Sequence, residues 1–145
     1  MVPSISIKRQ VEFYETDMAG IVHFSNYFRW MESAETTFFE SLGLSIVQKK
    51  EAVISGWPKV QASCNFMAPL RFQDFVEIEL TLREVKNSAI TYTFQFFKIE
   101  GQEKIKVANG EMISVHAKFD ILHNTFSASL IDDELRNKLQ IFQIN

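Results

Sequence analysis

The sequence predicts an α+β domain in which one long helix packs on an antiparallel sheet. Three observations lead there. One stretch, beginning at Ser25, carries apolar residues at helical spacing; most of the rest alternates apolar and polar residues at the period of a strand; and successive strands are joined by turns of a few residues. Connections that short join antiparallel neighbours, because a parallel partner needs a crossover of a dozen residues or more.

Taken in order, Ile5, Ile7, Val11 and Phe13 fall at alternate positions, which predicts a first strand ending near Tyr14. Glu15 to Phe24, with Asp17 and Gly20, reads as a loop. From Ser25 the rhythm changes: Tyr27, Met31, Ala34, Phe38 and Leu42 form one stripe, and Arg29, Glu32, Thr36 and Glu40 another. Ser25 or Asn26 can cap this helix and Gly43 can end it. After a variable stretch, Lys59 to Met67 alternates as a strand that Pro69 closes. Val76, Ile78, Leu80 and Leu82 oppose Glu77, Glu79, Thr81 and Arg83 in a second, half-buried strand. Lys86 to Ser88 is a turn. Ile90, Tyr92, Phe94 and Phe96 line the next strand, Gly101 sits in a turn, and Lys104 to Phe119 reads as a long strand broken near Gly110. Ser129 with Asp132 resembles a capping box for a final helix whose apolar stripe is Leu135, Leu139 and Phe142.

Composition narrows the function. The 145 residues, 46% hydrophobic and 23% charged, suit a single domain over residues 1–145, with a core that needs no metal or disulfide. A formal charge of -3 has the wrong sign for bulk nucleic-acid binding. Met1 to Gln10 lacks the apolar run of a signal peptide or membrane span, and the lone Cys64 suits a reducing compartment, so a cytoplasmic protein is expected. Fourteen Phe imply a ring-filled core and a lined acyl or aryl pocket. No Gly-rich phosphate loop and no G-x-S-x-G elbow occurs, and His23, His116, His123 and Cys64 lack zinc-site spacing, so no metal is expected.

The chemically informative segment runs from Phe13 to Tyr27, where an acidic loop leads into the helix. Unpaired N–H groups and a partial positive charge at a helix start can hold an oxygen that becomes negative during acyl transfer, and a nearby carboxylate can act as nucleophile or activate water. A thioester hydrolase needs these two parts and no cofactor. The competing reading is structural: Asp17 and Gly20 occupy the first and fourth positions of a type I turn, where both are favoured for backbone reasons.

The run Asp17-Met18-Ala19-Gly20-Ile21-Val22-His23-Phe24-Ser25-Asn26-Tyr27, followed by Trp30 and Glu32, resembles the N-terminal motif of the 4-hydroxybenzoyl-CoA thioesterase family of the hotdog-fold superfamily. Pro69 to Ile78 is similar to the family's segment leading into its third strand, and the resemblance spans roughly residues 5 to 120. It implies a curved antiparallel sheet wrapped around one central helix, and subunits that join sheets into homodimers or homotetramers with active sites at the interface. It also implies hydrolysis of a small aromatic or short-to-medium acyl-CoA, with CoA as part of the substrate and an acyl-carrier protein as an alternative donor. By position, the catalytic aspartate falls on Asp17 and the oxyanion-holding N–H on Phe24. His23, Asn26 and Tyr27 fall among the substrate contacts, His23 with a capping or pocket-wall role open and Tyr27 with a core role open. Glu32 is either a solvated helix residue or a carboxylate that binds a ring hydroxyl. Lys86 and Ser88 are either an ordinary hairpin or contacts to CoA, and Asp74 begins a strand. Two other functions fit parts of the pattern: a hotdog hydratase or dehydratase, and a non-catalytic acyl-CoA-binding dimer.

Overall fold

A computed structural model describes residues 4–140. Five strands, β1 (Ser4–Gln10), β4 (Lys59–Phe66), β5 (Phe75–Val85), β6 (Ala89–Glu100) and β7 (Glu103–Val115), form an antiparallel sheet in the order β1-β5-β6-β7-β4. A smaller antiparallel sheet contains β2 (Gln48–Lys50), β3 (Val53–Gly56), β8 (Ala117–Asp120) and β9 (Thr125–Ala128) in the order β2-β3-β8-β9. Helices α1 (Ser25–Ser41) and α2 (Asp133–Gln140) are the two α-helices among the described residues. Among the described residues no helix is long and apolar enough to cross a membrane.

The helix lies on the large sheet because one stripe of it is apolar and large. Tyr27, Trp30, Met31, Ala34, Phe38 and Phe39 are buried against Ile78, Leu80, Tyr92, Phe94 and Phe96, which alternate along β5 and β6 as the period-2 pattern requires. Gly43, at φ +75°, ends α1: its N–H bonds to the Glu40 carbonyl and that of Leu44 to the Phe39 carbonyl, the pair of bonds that closes a helix through a left-handed residue. Three register shifts leave Val60 of β4, Arg83 of β5 and Val107 of β7 without a partner in the ladder, and such bulges bend a sheet around what it covers.

Several local expectations change. The first strand stops at Gln10; Val11 is buried and its N–H pairs with Asp74, after which Phe13–Glu15 forms a 3-10 turn in a reciprocal Glu12/Glu15 capping box. Gly110 does not break β7. It sits mid-strand because a Cβ there would collide with the Met31 Cε methyl and lie 3.0 Å from the Ser63 carbonyl oxygen, so it lets helix and strand approach. The break comes at His116, whose N–H turns to the Ser88 carbonyl. Neither Ser25 nor Asn26 is the N-cap of α1; Phe24 is, without a side-chain cap bond. Asp132, not Ser129, caps α2, accepting the Leu135 N–H at 3.1 Å. Leu135 and Leu139 are buried as expected, and Phe142 lies outside the described residues. The strands β2, β3, β8 and β9 were not separately expected: β2 and β3 fall in the stretch read as variable, and β8 in the tail of the long strand.

The phenylalanines divide. Phe38, Phe39, Phe94 and Phe96 are in the core, whereas Phe13, Phe24, Phe66, Phe72 and Phe75 are exposed and crowd the end of the sheet where α1 begins.

Candidate active site

The loop carrying Asp17 is held in place by a buried carboxylate. Glu15, 4% exposed, receives Arg9 Nη2 at 2.7 Å on both oxygens, the Glu12 N–H at 2.8 Å on Oε1 and the Trp30 indole N–H at 2.9 Å on Oε2. Arg9 also lies over the Trp30 ring, 5.1 Å from its centre. The Glu15 backbone carbonyl accepts the His23 N–H and the Asn26 side-chain amide. One residue thus ties β1, the loop and the first two turns of α1 together. Its spacing in the sequence offers no signal, because Glu15 sits in a segment that otherwise reads as solvated.

Asp17 serves two purposes. Its Oδ1 accepts the Ala19 N–H at 2.9 Å and the Ile21 N–H at 3.4 Å, and its carbonyl accepts the Gly20 N–H at 2.9 Å, with Gly20 at φ +81°. The turn reading is therefore correct for one oxygen. Its Oδ2 has no hydrogen-bond partner among the described residues, and the side chain borders a cleft of about 500 Å³ walled by Val22, Phe24, Tyr27, Phe66 and Met67. The N–H of Phe24, a residue that lines the same cleft, precedes the first turn of α1 and has no partner among the described residues, while those of Asn26 and Tyr27 bond back to His23 and Phe24. Asp17, with one carboxylate oxygen free of hydrogen bonds, and Phe24, whose N–H is unpaired among the described residues, both line one largely apolar cleft.

The other expected residues are placed as follows. His23 caps: its Nδ1 lies 2.8 Å from Ser25 Oγ and accepts the Ser25 N–H at 3.3 Å, and its ring stacks on Phe24. Asn26 is buried and spends its amide on Glu15, which makes it a strut of the loop. Tyr27 is core and cleft wall at once, ringed by Trp30, Phe66 and Phe96; burial, then neighbouring Cys64, pushes its hydroxyl up to about 12. Glu32 is exposed and lines a separate cleft of about 200 Å³ with Arg29, Lys59 and Met112, between α1 and the edge strand β4. Lys86 and Ser88 form the β5–β6 turn, pinned by Arg136 and the His116 N–H. The Asp17 loop meets the opposite end of β5, through Val22 on Leu70 and Ile21 on Arg71, so the turn is a whole strand of about 35 Å away in the same chain.

A second buried carboxylate also escaped the sequence reading. Glu35 is fully buried, takes the Ser114 hydroxyl at 2.7 Å and pairs with Lys59 at 2.6 Å, and its charge, after burial, helps hold the Tyr92 hydroxyl well above its usual range. The available signal was a lone Glu between Ala34 and Phe38 on the apolar stripe.

A family model for the thioesterase-like superfamily matches residues 11–139. Over 86 residues, 58% of this chain and 61% of the relative, the sequence is 34% identical to a 4-hydroxybenzoyl-CoA thioesterase of Pseudomonas sp. strain CBS-3. It is 29% identical over 120 residues to a 1,4-dihydroxy-2-naphthoyl-CoA hydrolase of Prochlorococcus marinus strain NATL2A, covering 77% of this chain and 76% of the relative. The fold superposes on the solved structure of a gentisyl-coenzyme A thioesterase with a TM-score of 0.76 at 31% identity, covering 91% of this chain and 99% of that one.

Proposed function

The chain belongs to the thioesterase-like superfamily and is a thioester hydrolase with the hotdog fold, and we propose that Asp17 and the Phe24 N–H are its catalytic pair, acting on a small aromatic acyl-CoA. The observation that carries this reading is that Asp17, with a free Oδ2, and Phe24, with an unpaired N–H, line the same cleft. The thioester carbonyl oxygen takes the Phe24 N–H, which stabilises it as charge develops there. Asp17 attacks the carbonyl carbon, or directs a water to it; a C–O bond forms, the C–S bond breaks and CoA leaves as a thiolate. Where Asp17 is the nucleophile, water then cleaves the acyl–aspartyl anhydride and frees Asp17; on either route water supplies the oxygen of the carboxylate product, one of its protons goes to the CoA thiolate and the other to solvent. This chemistry calls on no cofactor and no metal. The apolar walls, Tyr27 and Phe66 among them, suit an aromatic ring.

The active form is a homodimer or a pair of dimers in the cytoplasm. Among the described residues strand β4 is an edge with no neighbour on its far side, and exposed Val60 and Phe66 lie along it. Pairing two β4 edges antiparallel sets the Lys59 end of one against the Phe66 end of the other, which brings one copy's Glu32 cleft beside the other's Asp17 cleft. Glu32 then meets a polar ring substituent from across the interface, and Lys86 and Ser88 meet CoA only from a second copy. An acyl-carrier protein remains the alternative donor.

Asp17→Asn tests the reading. The amide oxygen can keep the two Oδ1 bonds, so folding and assembly are retained, while hydrolysis of 4-hydroxybenzoyl-CoA falls by about a hundredfold to ten-thousandfold. Near wild-type turnover by the folded variant excludes Asp17 from the chemistry.

A further inference from the structure

The small sheet has its faces reversed. A sheet that packs on a protein body ordinarily turns its apolar side inward. Here Gln48, Lys50, Ser55 and Lys118 share the face that looks toward the ends of α1 and α2, while Ile54, Phe119 and Phe126, paired in register, share the other. Between the polar face and the segment leading into α2 lies a cleft of about 580 Å³, within the size range of small-molecule sites and away from Asp17.

Three groups lining this cleft, the Lys50 and Lys118 ammonium groups and His116 Nε2, have no partner among the described residues. His116 is 9% exposed, and its Nδ1 lies 3.0 Å from the Leu130 carbonyl oxygen, which can only accept, so Nδ1 carries the proton. Its ring lies against Trp57, tilted by 35° with ring centres 4.9 Å apart, and its backbone is fixed by bonds to Ser88 and Ser129. Nε2 has no hydrogen bond among the described residues and, in the neutral ring, is an acceptor. Lys50 and Lys118 flank Ser55 and Val53 and form no ion pair among the described residues. Of the two acids in the lining, Asp132 gives its Oδ1 to the start of α2, and Glu51 belongs to the β2–β3 turn.

We propose that this cleft is a second binding site, for a small hydroxylated carboxylate. The carboxylate lies against the Lys50 and Lys118 ammonium groups, the hydroxyl donates to His116 Nε2, and the apolar body covers Val53 and Leu130. The site is independent of catalysis at Asp17.

The test is a titration of the full chain with 4-hydroxybenzoate, following the His116 ring by NMR and assigning it by its loss in His116→Gln. The ring shifts saturably with a Kd on the order of 1 mM. Benzoate, which lacks the hydroxyl, binds about threefold to tenfold more weakly, the usual scale of one hydrogen bond. The double variant Lys50→Gln/Lys118→Gln, at two exposed positions, binds about tenfold more weakly, while Asp17→Asn binds as wild type. A His116 ring that does not move, equal binding of benzoate, or binding lost on filling the Asp17 cleft with Met67→Trp overturns the proposal.

Discussion

Replacing Glu15 by Gln separates the loop's anchor from its chemistry. The native carboxylate collects a guanidinium on both oxygens, a backbone N–H and an indole N–H. Gln has one acceptor oxygen, and its amide N–H₂ must point at a group that is itself a donor. Removing one partner of a buried ion pair costs about 3–5 kcal/mol; the Arg9 side chain is 27% exposed and can recover part of its hydration, which lowers this share to about 2 kcal/mol. One buried donor left unpaired, the Trp30 indole or the Glu12 N–H, adds about 1 kcal/mol. The sum is about 3 kcal/mol, which in a chain of this length lowers Tm by about 10 °C. The measurement is thermal and urea unfolding at pH 7 with protomer concentration held constant, since the unfolding of an oligomer depends on it. The backbone carbonyl of Glu15 still holds His23 and Asn26, so kcat falls by about tenfold only, from looser positioning of Asp17. A Tm within about 2 °C of wild type would refute the idea that this carboxylate anchors the loop.

Three further outcomes follow from packing and burial. Gly110→Ala destabilises by about 1–3 kcal/mol, because Met31 can swing aside but the Ser63 carbonyl belongs to the paired strand; trimming Met31 to Ala in the same chain recovers little of it, and urea midpoints report both. Burial pushes the Cys64 thiol from 9.0 up to about 11, and Tyr27 from 10.0 up to about 12. The folded chain keeps these protons where the unfolded chain loses them, so the stability present below pH 9 declines as pH rises through about 11 and 12, visible in urea midpoints across that range. The same shift makes Cys64 alkylation at pH 8 about a hundredfold slower in the folded protein than in the unfolded one, by thiolate fraction.

What the sequence determined by itself is whatever depends on near neighbours along the chain. The 3.6-residue stripe of α1, the alternation in β5 and β6, the Gly43 stop and the Asp17–Gly20 turn are legible because each is set by spacing or by a local backbone preference. The family motif from Asp17 to Tyr27 is legible for the same reason, since the loop and the helix start it describes are contiguous. Tertiary structure decided what depends on distant partners. Glu15 and Glu35 look like surface carboxylates until Arg9, Trp30, Lys59 and Ser114 are brought to them, and burial of a charge follows from those partners. Gly110 reads as a strand breaker until Met31 and Ser63 occupy the space where its side chain would stand. Short strands such as β2, β3, β8 and β9, of three or four residues, carry too few alternations to declare a period, and their existence rests on pairing across the chain. The separation of Glu32, Lys86 and Ser88 from Asp17 is likewise a matter of strand length and sheet order, which no single segment encodes.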